Sequence, residues 1–93
     1  MPPLDFCLRN ADELAQEIVN AWAVNVDAGN AKYLTTEFNA LFETTSRYRD
    51  LKNLADNYRQ FDMLSSELEA KEYNAREAFA LAFKDFADRH GLV

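Results

Sequence analysis

From Asn30 through His90 the chain carries neither glycine nor proline, and this 61-residue run is bracketed by Gly29 and Gly91. Without the two strongest local breakers, the stretch can run as helix almost uninterrupted. It also leaves few of the loops that usually carry catalytic groups. An all-α fold follows, and the places where the chain reverses must be sought in weaker signals.

Those signals divide residues 1–93 into a small antiparallel helical bundle in a single domain. Pro2 and Pro3 make residues 1–9 an extended lead-in, with Leu4, Phe6 and Leu8 able to tuck against the core. Asn10 is a candidate N-cap with Glu13 at the capping-box position, so the first helix spans about 11–28. Its apolar face is Leu14, Ala15, Ile18, Val19, Trp22 and Val26, and Gly29 ends it. Asn30 then caps a helix over about 31–45, with Leu34, Phe38, Leu41, Phe42 and Thr45 on one side.

Thr44, Thr45 and Ser46 form the weakest helical stretch of the run, because short hydroxyl side chains compete for backbone hydrogen bonds. A turn is expected there, followed by a helix over about 47–64 that buries Leu51, Leu54, Ala55, Tyr58 and Phe61. Ser66 followed by Glu69 is a second capping box and starts a fourth helix over about 67–90, burying Leu68, Ala75, Phe79, Ala82, Phe83 and Phe86. The alternative joins the last two into one helix. Its heptad seam would run Leu51, Leu54, Tyr58, Phe61, Ser65, Leu68, Glu72, Ala75, Phe79, Ala82 and Phe86, with Ser65 and Glu72 as flaws. Because flaws and capping box coincide near residue 66, the broken form is preferred. Acid-first pairs at i,i+4 (Glu43–Arg47, Glu67–Lys71, Glu72–Arg76, Asp85–Arg89) support the helices by about 0.2–0.5 kcal/mol each.

The chemistry available is sparse. His90 is the only histidine, near the chain end, and is read as a C-terminal helix residue favoured by the dipole. Cys7 is the only cysteine, read as a small semi-buried apolar residue rather than a nucleophile, since no positioned base accompanies it. One cysteine forbids an intrachain disulfide and points to a reducing, cytoplasmic setting. The segment from Met1 to Cys7 is too short and weakly apolar for a signal peptide, and no apolar run is long enough to cross a bilayer. Glu13 with Glu17 and Glu69 with Glu72 share helical faces, but no Glu-x-x-His pair, calcium loop or phosphate-cradling glycine loop accompanies them. No catalytic residue, metal or cofactor is expected, and the chain is read as non-enzymatic.

Charge gives the partner signal. The net charge of −6 disfavours direct contact with nucleic-acid phosphates or an anionic membrane. The surplus is uneven: residues 1–46 hold seven acids and two bases, residues 47–93 nine acids and eight bases. Between Asn10 and Ala31 there are four acids and no base. A protein partner with a basic surface is therefore expected, contacted by Asp12, Glu13, Glu17, Asp27, Glu37 and Glu43. Tyr33, Tyr48 and Tyr73 lie outside or at the edge of the apolar stripes and join this contact set, because a rigid amphipathic ring docks at little entropic cost. In length, acidity and helix content the chain resembles, at the level of class, small inhibitory proteins such as bacteriocin immunity proteins and phage-encoded inhibitors of host defence. The resemblance implies binding and inhibition of another protein, with DNA mimicry as a variant if the acids of residues 12–43 project from one surface. The alternative is an assembly module that forms a homodimer, or joins a larger complex, through the Leu51–Phe86 seam.

Overall fold

The computed structural model describes residues 3–91, and of Lys32 the backbone alone. Among the described residues there are four α-helices and no strand: α1 (Leu4–Arg9), α2 (Ala11–Asp27), α3 (Thr36–Gln60) and α4 (Ser66–His90), with a 3₁₀ turn at Ala31–Tyr33 between α2 and α3. No helix is long and apolar enough to cross a membrane. The fold is the small all-α bundle expected, but the chain breaks at different points.

Residues 4–9 are helical rather than extended. Pro3 sits just before the helix, where its missing N–H is not needed, and its carbonyl accepts the Cys7 N–H at 3.2 Å. Asp5 and Arg9 close an i,i+4 ion pair at 3.0 Å. Asn10 does not cap α2 with its side chain. It donates Nδ2–H to the Phe6 carbonyl at 2.9 Å and so finishes α1, leaving a single kinked residue between the first two helices.

The expected turn at residues 44–46 does not form, and helix runs through it. Thr44 Oγ1 donates to the Ala40 carbonyl at 3.1 Å and Thr45 Oγ1 to Leu41 at 2.7 Å. Bonded back along the helix, these hydroxyls are satisfied without opening it. The second helix starts at Thr36 rather than Ala31, because Thr35, not Asn30, accepts the Phe38 N–H on its side chain.

The reversal falls at residues 61–65, as the capping box suggested, though the capping residue is Ser65, which accepts the Leu68 N–H at 3.1 Å. The residues before it form a Schellman turn. Met63 N–H reaches the Tyr58 carbonyl at 2.9 Å, Asp62 N–H reaches Arg59 at 3.1 Å, and Asp62 adopts φ 54°. The end of α2 repeats the pattern with Gly29 at φ 70° and Asn30 N–H on the Asn25 carbonyl.

The turn makes α3 and α4 an antiparallel hairpin of two 25-residue helices, each about 37 Å long. Helix α2, with 17 residues, lies antiparallel along α3: Asp12 meets Tyr48, and the Trp22 ring stacks on Phe42 at 4.8 Å. Helix α1 lies on α4, where Arg76 Nε donates to the Leu8 carbonyl at 2.9 Å. The molecule measures 43 × 28 × 18 Å, thin enough for two layers of helices. Between the layers lie Cys7, Ala11, Leu14, Ile18, Phe38, Leu41, Phe79, Phe83 and Phe86.

The shorter layer stops well before the hairpin tip. Leu54, Tyr58 and Phe61, expected in the core, are therefore exposed, as is Leu34 in the loop before α3. Of the four anticipated helical pairs only Asp85–Arg89 closes, at 3.3 Å. Glu72 is taken instead by Arg59 across the hairpin, at 2.9 Å.

Asp62 holds the left-handed position without glycine's freedom, so Asp62→Gly is expected to raise the melting temperature, with a gain of about 0.5–1 kcal/mol. Asp62→Val puts a β-branched residue there and is expected to cost about 1–2 kcal/mol. Thermal unfolding by circular dichroism measures both.

Candidate functional site

The side chains expected to contact a partner are spread over several surfaces. Glu13, Glu17 and Asp27 share the outward face of α2, opposite the buried Leu14, Ala15 and Ile18, along about 21 Å of helix. All three are exposed, and none makes an ion pair among the described residues. Gln16, Asn20 and Val24 complete this face, which carries no base.

Asp12 points elsewhere, into the seam between α2 and α3. It accepts the hydroxyl of Tyr48 in a short hydrogen bond, and Lys52 Nζ stands 3.7 Å from its other oxygen. Tyr48 is only 2% exposed. Its ring stacks on Phe79 at 5.8 Å, 13° from parallel, so one side chain ties α2, α3 and α4 together. The expectation that Tyr48 meets a partner is corrected by this burial: the ring is core, and only the hydroxyl reaches the rim. Burial and the Asp12 carboxylate both push its pKa well above the usual tyrosine range. The Lys52 pKa is raised too, first by its hydrogen bond to Asp56 at 2.9 Å and then by the Asp12 charge, against the opposing effect of burial.

Glu37 lies at the opposite end of the molecule. Its carboxylate is 2.6 Å from His90 Nε2, and the imidazole packs on Phe86 at 4.4 Å. This contact fastens the end of α4 to the start of α3 and lowers the Glu37 pKa, chiefly through the hydrogen bond. His90 thus bridges two helices rather than only closing its own. Tyr33 is half-buried in the 3₁₀ turn, edge-on to Phe38 at 4.9 Å. Tyr73 is exposed on α4 beyond the end of α1, and hydrogen bonding to Glu77 raises its pKa.

Glu43 faces the open side of the hairpin. There α3 and α4 alone wall a groove of about 1080 Å³, floored by Leu51, Ala75 and Ala78 and rimmed by Glu43, Arg47, Asp50 and Lys71. Sequence reasoning assigned Leu51 and Ala75 to the core and did not find the groove, although it offered the Leu51–Phe86 seam as an alternative contact surface. The signal available was length: two 25-residue helices cannot be covered by one of 17.

Cys7 is fully buried, and burial pushes its thiol pKa up, which suits packing and not nucleophilic attack. Among the described residues no three His, Cys, Asp or Glu side chains stand together as a metal site. Compared with known proteins, the chain matches no family model, and neither a curated protein nor a solved structure is similar to it.

Because Tyr48 keeps its proton longer in the folded chain than at the unfolded value of about 10, unfolding releases that proton at alkaline pH. This contribution to stability is complete below about pH 10 and falls as pH rises further. Lys52, also raised, adds in the same direction. Tyr48→Phe is expected to lower stability at neutral pH by about 1 kcal/mol and to flatten the alkaline decline to the part due to Lys52, Cys7 and Tyr73. Urea unfolding between pH 7 and 11 resolves both effects.

Proposed function

We propose that the protein is non-enzymatic and acts by binding another protein with a basic surface, thereby modulating or inhibiting it. The outward face of α2 carries this reading. Seven other acids are held by bases within the chain: Asp5 on Arg9, Asp12 and Asp56 on Lys52, Glu72 on Arg59, Asp85 on Arg89, Asp88 on Lys84 and Glu37 on His90. Glu43, Asp50, Asp62, Glu67, Glu69 and Glu77 are spread over α3, the hairpin tip and α4, where bases are interspersed. Glu13, Glu17 and Asp27 are exposed on one helical face and make no ion pair among the described residues. Such a face attracts a basic surface over roughly a Debye length, about 10 Å, and sets its orientation on contact.

A protein partner accounts for this arrangement better than phosphate mimicry does. Of the acids between residues 12 and 43, Asp12 turns into the α2–α3 seam, Glu37 is tied to His90 and Glu43 lies in the hairpin groove. Three acids on one helix suit a local basic patch and not the long regular charge of a nucleic acid. A reducing, cytoplasmic location belongs to the same proposal, with Cys7 buried and without a second cysteine.

Immobilised protein, exposed to lysate of its source cell, is expected to retain a stoichiometric partner in low salt and release it in high salt. The variant Glu13→Gln, Glu17→Gln, Asp27→Asn should retain at least ten-fold less, with its helical circular dichroism unchanged. A partner held equally well by the variant and through the high-salt wash would remove α2 from the interaction.

A further inference from the structure

We propose that the open face of the α3–α4 hairpin docks a second copy of this chain, with the two α3 helices antiparallel. This surface lies on the other side of the molecule from the outward face of α2, so the inference does not rest on the function proposed above.

Four of the large apolar side chains on the surface fall within ten consecutive residues at the hairpin tip: Leu54 (45% exposed), Tyr58 (43%), Phe61 (71%) and Met63 (68%). No third helix reaches them. At on the order of 200 Å² per large apolar side chain, these fractions leave roughly 450 Å² open. That is the size of the largest patch on an ordinary monomer, and such patches mark interaction sites. Two copies face to face would bury about 1,000 Å² once the half-buried Leu51 and the groove walls are added, the lower limit for a biological interface and the range of weak, concentration-dependent association.

The pattern of the stripe selects the occupant. Leu51, Leu54, Tyr58 and Phe61 are spaced three, four and three residues apart, which reads the same in both directions. A two-fold axis beside residue 56 therefore sets Leu51 against Phe61 of the second copy and Leu54 against its Tyr58. Each contact pairs an aliphatic with an aromatic side chain, and each occurs twice, as an isologous interface requires. Leu51 also lines the groove, which gives the second copy's Phe61 a place to enter.

Charge is consistent with a copy. The rim residues Glu43, Arg47, Asp50 and Lys71 are two acids and two bases, so the excess that makes the chain −6 is absent here. Arg47 and Lys71 make no ion pair within the chain among the described residues. In the antiparallel arrangement Arg47 comes opposite residue 65, just past the C-terminus of the other α3, where the helix dipole is negative, and near the Asp50 and Asp62 that this register brings together.

Sedimentation equilibrium of the full chain over a wide concentration range tests this. The mass is expected to rise from 10.7 kDa to twice that value as concentration increases. Leu54→Glu and Arg47→Glu should each raise the dissociation constant at least ten-fold, while Val24→Glu on α2 leaves it unchanged. All three should keep the helical content and melting temperature of the dilute wild type, which separates lost association from lost folding. Leu54→Cys chains mixed with Tyr58→Cys chains should oxidise to the mixed dimer faster than to either homodimer, since Cys7 is buried and does not compete. A mass of 10.7 kDa at every concentration overturns the proposal. So does a dimer insensitive to Leu54→Glu and Arg47→Glu, or one in which the homodimeric crosslinks prevail.

Discussion

Everything in this molecule depends on how a chain without a central glycine turns back on itself. The turn needs a residue in the left-handed region, and Asp62 takes it, a short polar side chain being among the few that tolerate the conformation. Met63 and Asp62 then return their N–H groups to the Tyr58 and Arg59 carbonyls, and Ser65 starts the next helix. The five residues 61–65 thus satisfy the end of one helix and the start of another. Without that reversal, the seam from Leu51 to Phe86 would lie on a helix of about 80 Å, and Phe79, Phe83 and Phe86 would lose the core they enter.

Once the hairpin exists, the rest of the chain covers only one side of it. Helix α1 takes α4, helix α2 takes α3, and Tyr48 locks the layers by joining a buried ring to an exposed carboxylate on the opposite helix. The far end is held by Glu37 and His90, and the tip by Arg59 between Asp56 and Glu72. These exposed pairs are worth little singly. Their placement matters more than their sum, because each lies where two elements must keep register and none lies on the outer face of α2.

The helical class, the Gly29 stop, the fourth helix and most core positions from Leu14 to Phe86 were legible in the sequence, since each rests on local periodicity or on a cap. The errors have a common source. Thr44–Thr45–Ser46 and the Pro2–Pro3 lead-in were judged by intrinsic preference. In the folded chain the threonine hydroxyls return to the Ala40 and Leu41 carbonyls, and Pro3 precedes a helix instead of preventing one. Without the break at residues 44–46 the two expected middle helices join into one α3, whose tip α2 cannot cover. Tyr48 was placed at a stripe edge, which is correct for its backbone, but periodicity does not reveal that Asp12 waits there to receive the hydroxyl. Contacts between residues 36 apart belong to tertiary structure, and so do the contrast between paired and unpaired acids and the open hairpin face.

Placing the two kinds of surface on opposite sides of a thin molecule has a physical consequence. A net charge of −6 opposes self-association if spread evenly, because like charges meet whichever faces approach. Here the unpaired acids of α2 point away from the hairpin, and the groove rim is balanced. Two copies meeting through their hairpins hold their α2 faces apart, separated by the thickness of both molecules. At 18 Å per molecule, this exceeds the screening length of about 10 Å at 0.1 M salt, so repulsion between the acidic faces is largely lost. The same assembly presents two acidic faces outward. Because they point in opposite directions, each would take its own basic partner. Under the two proposals, keeping the base-free acidic face on the side of α2 away from the hairpin would leave one face to pair apolar stripes and the other to attract charge.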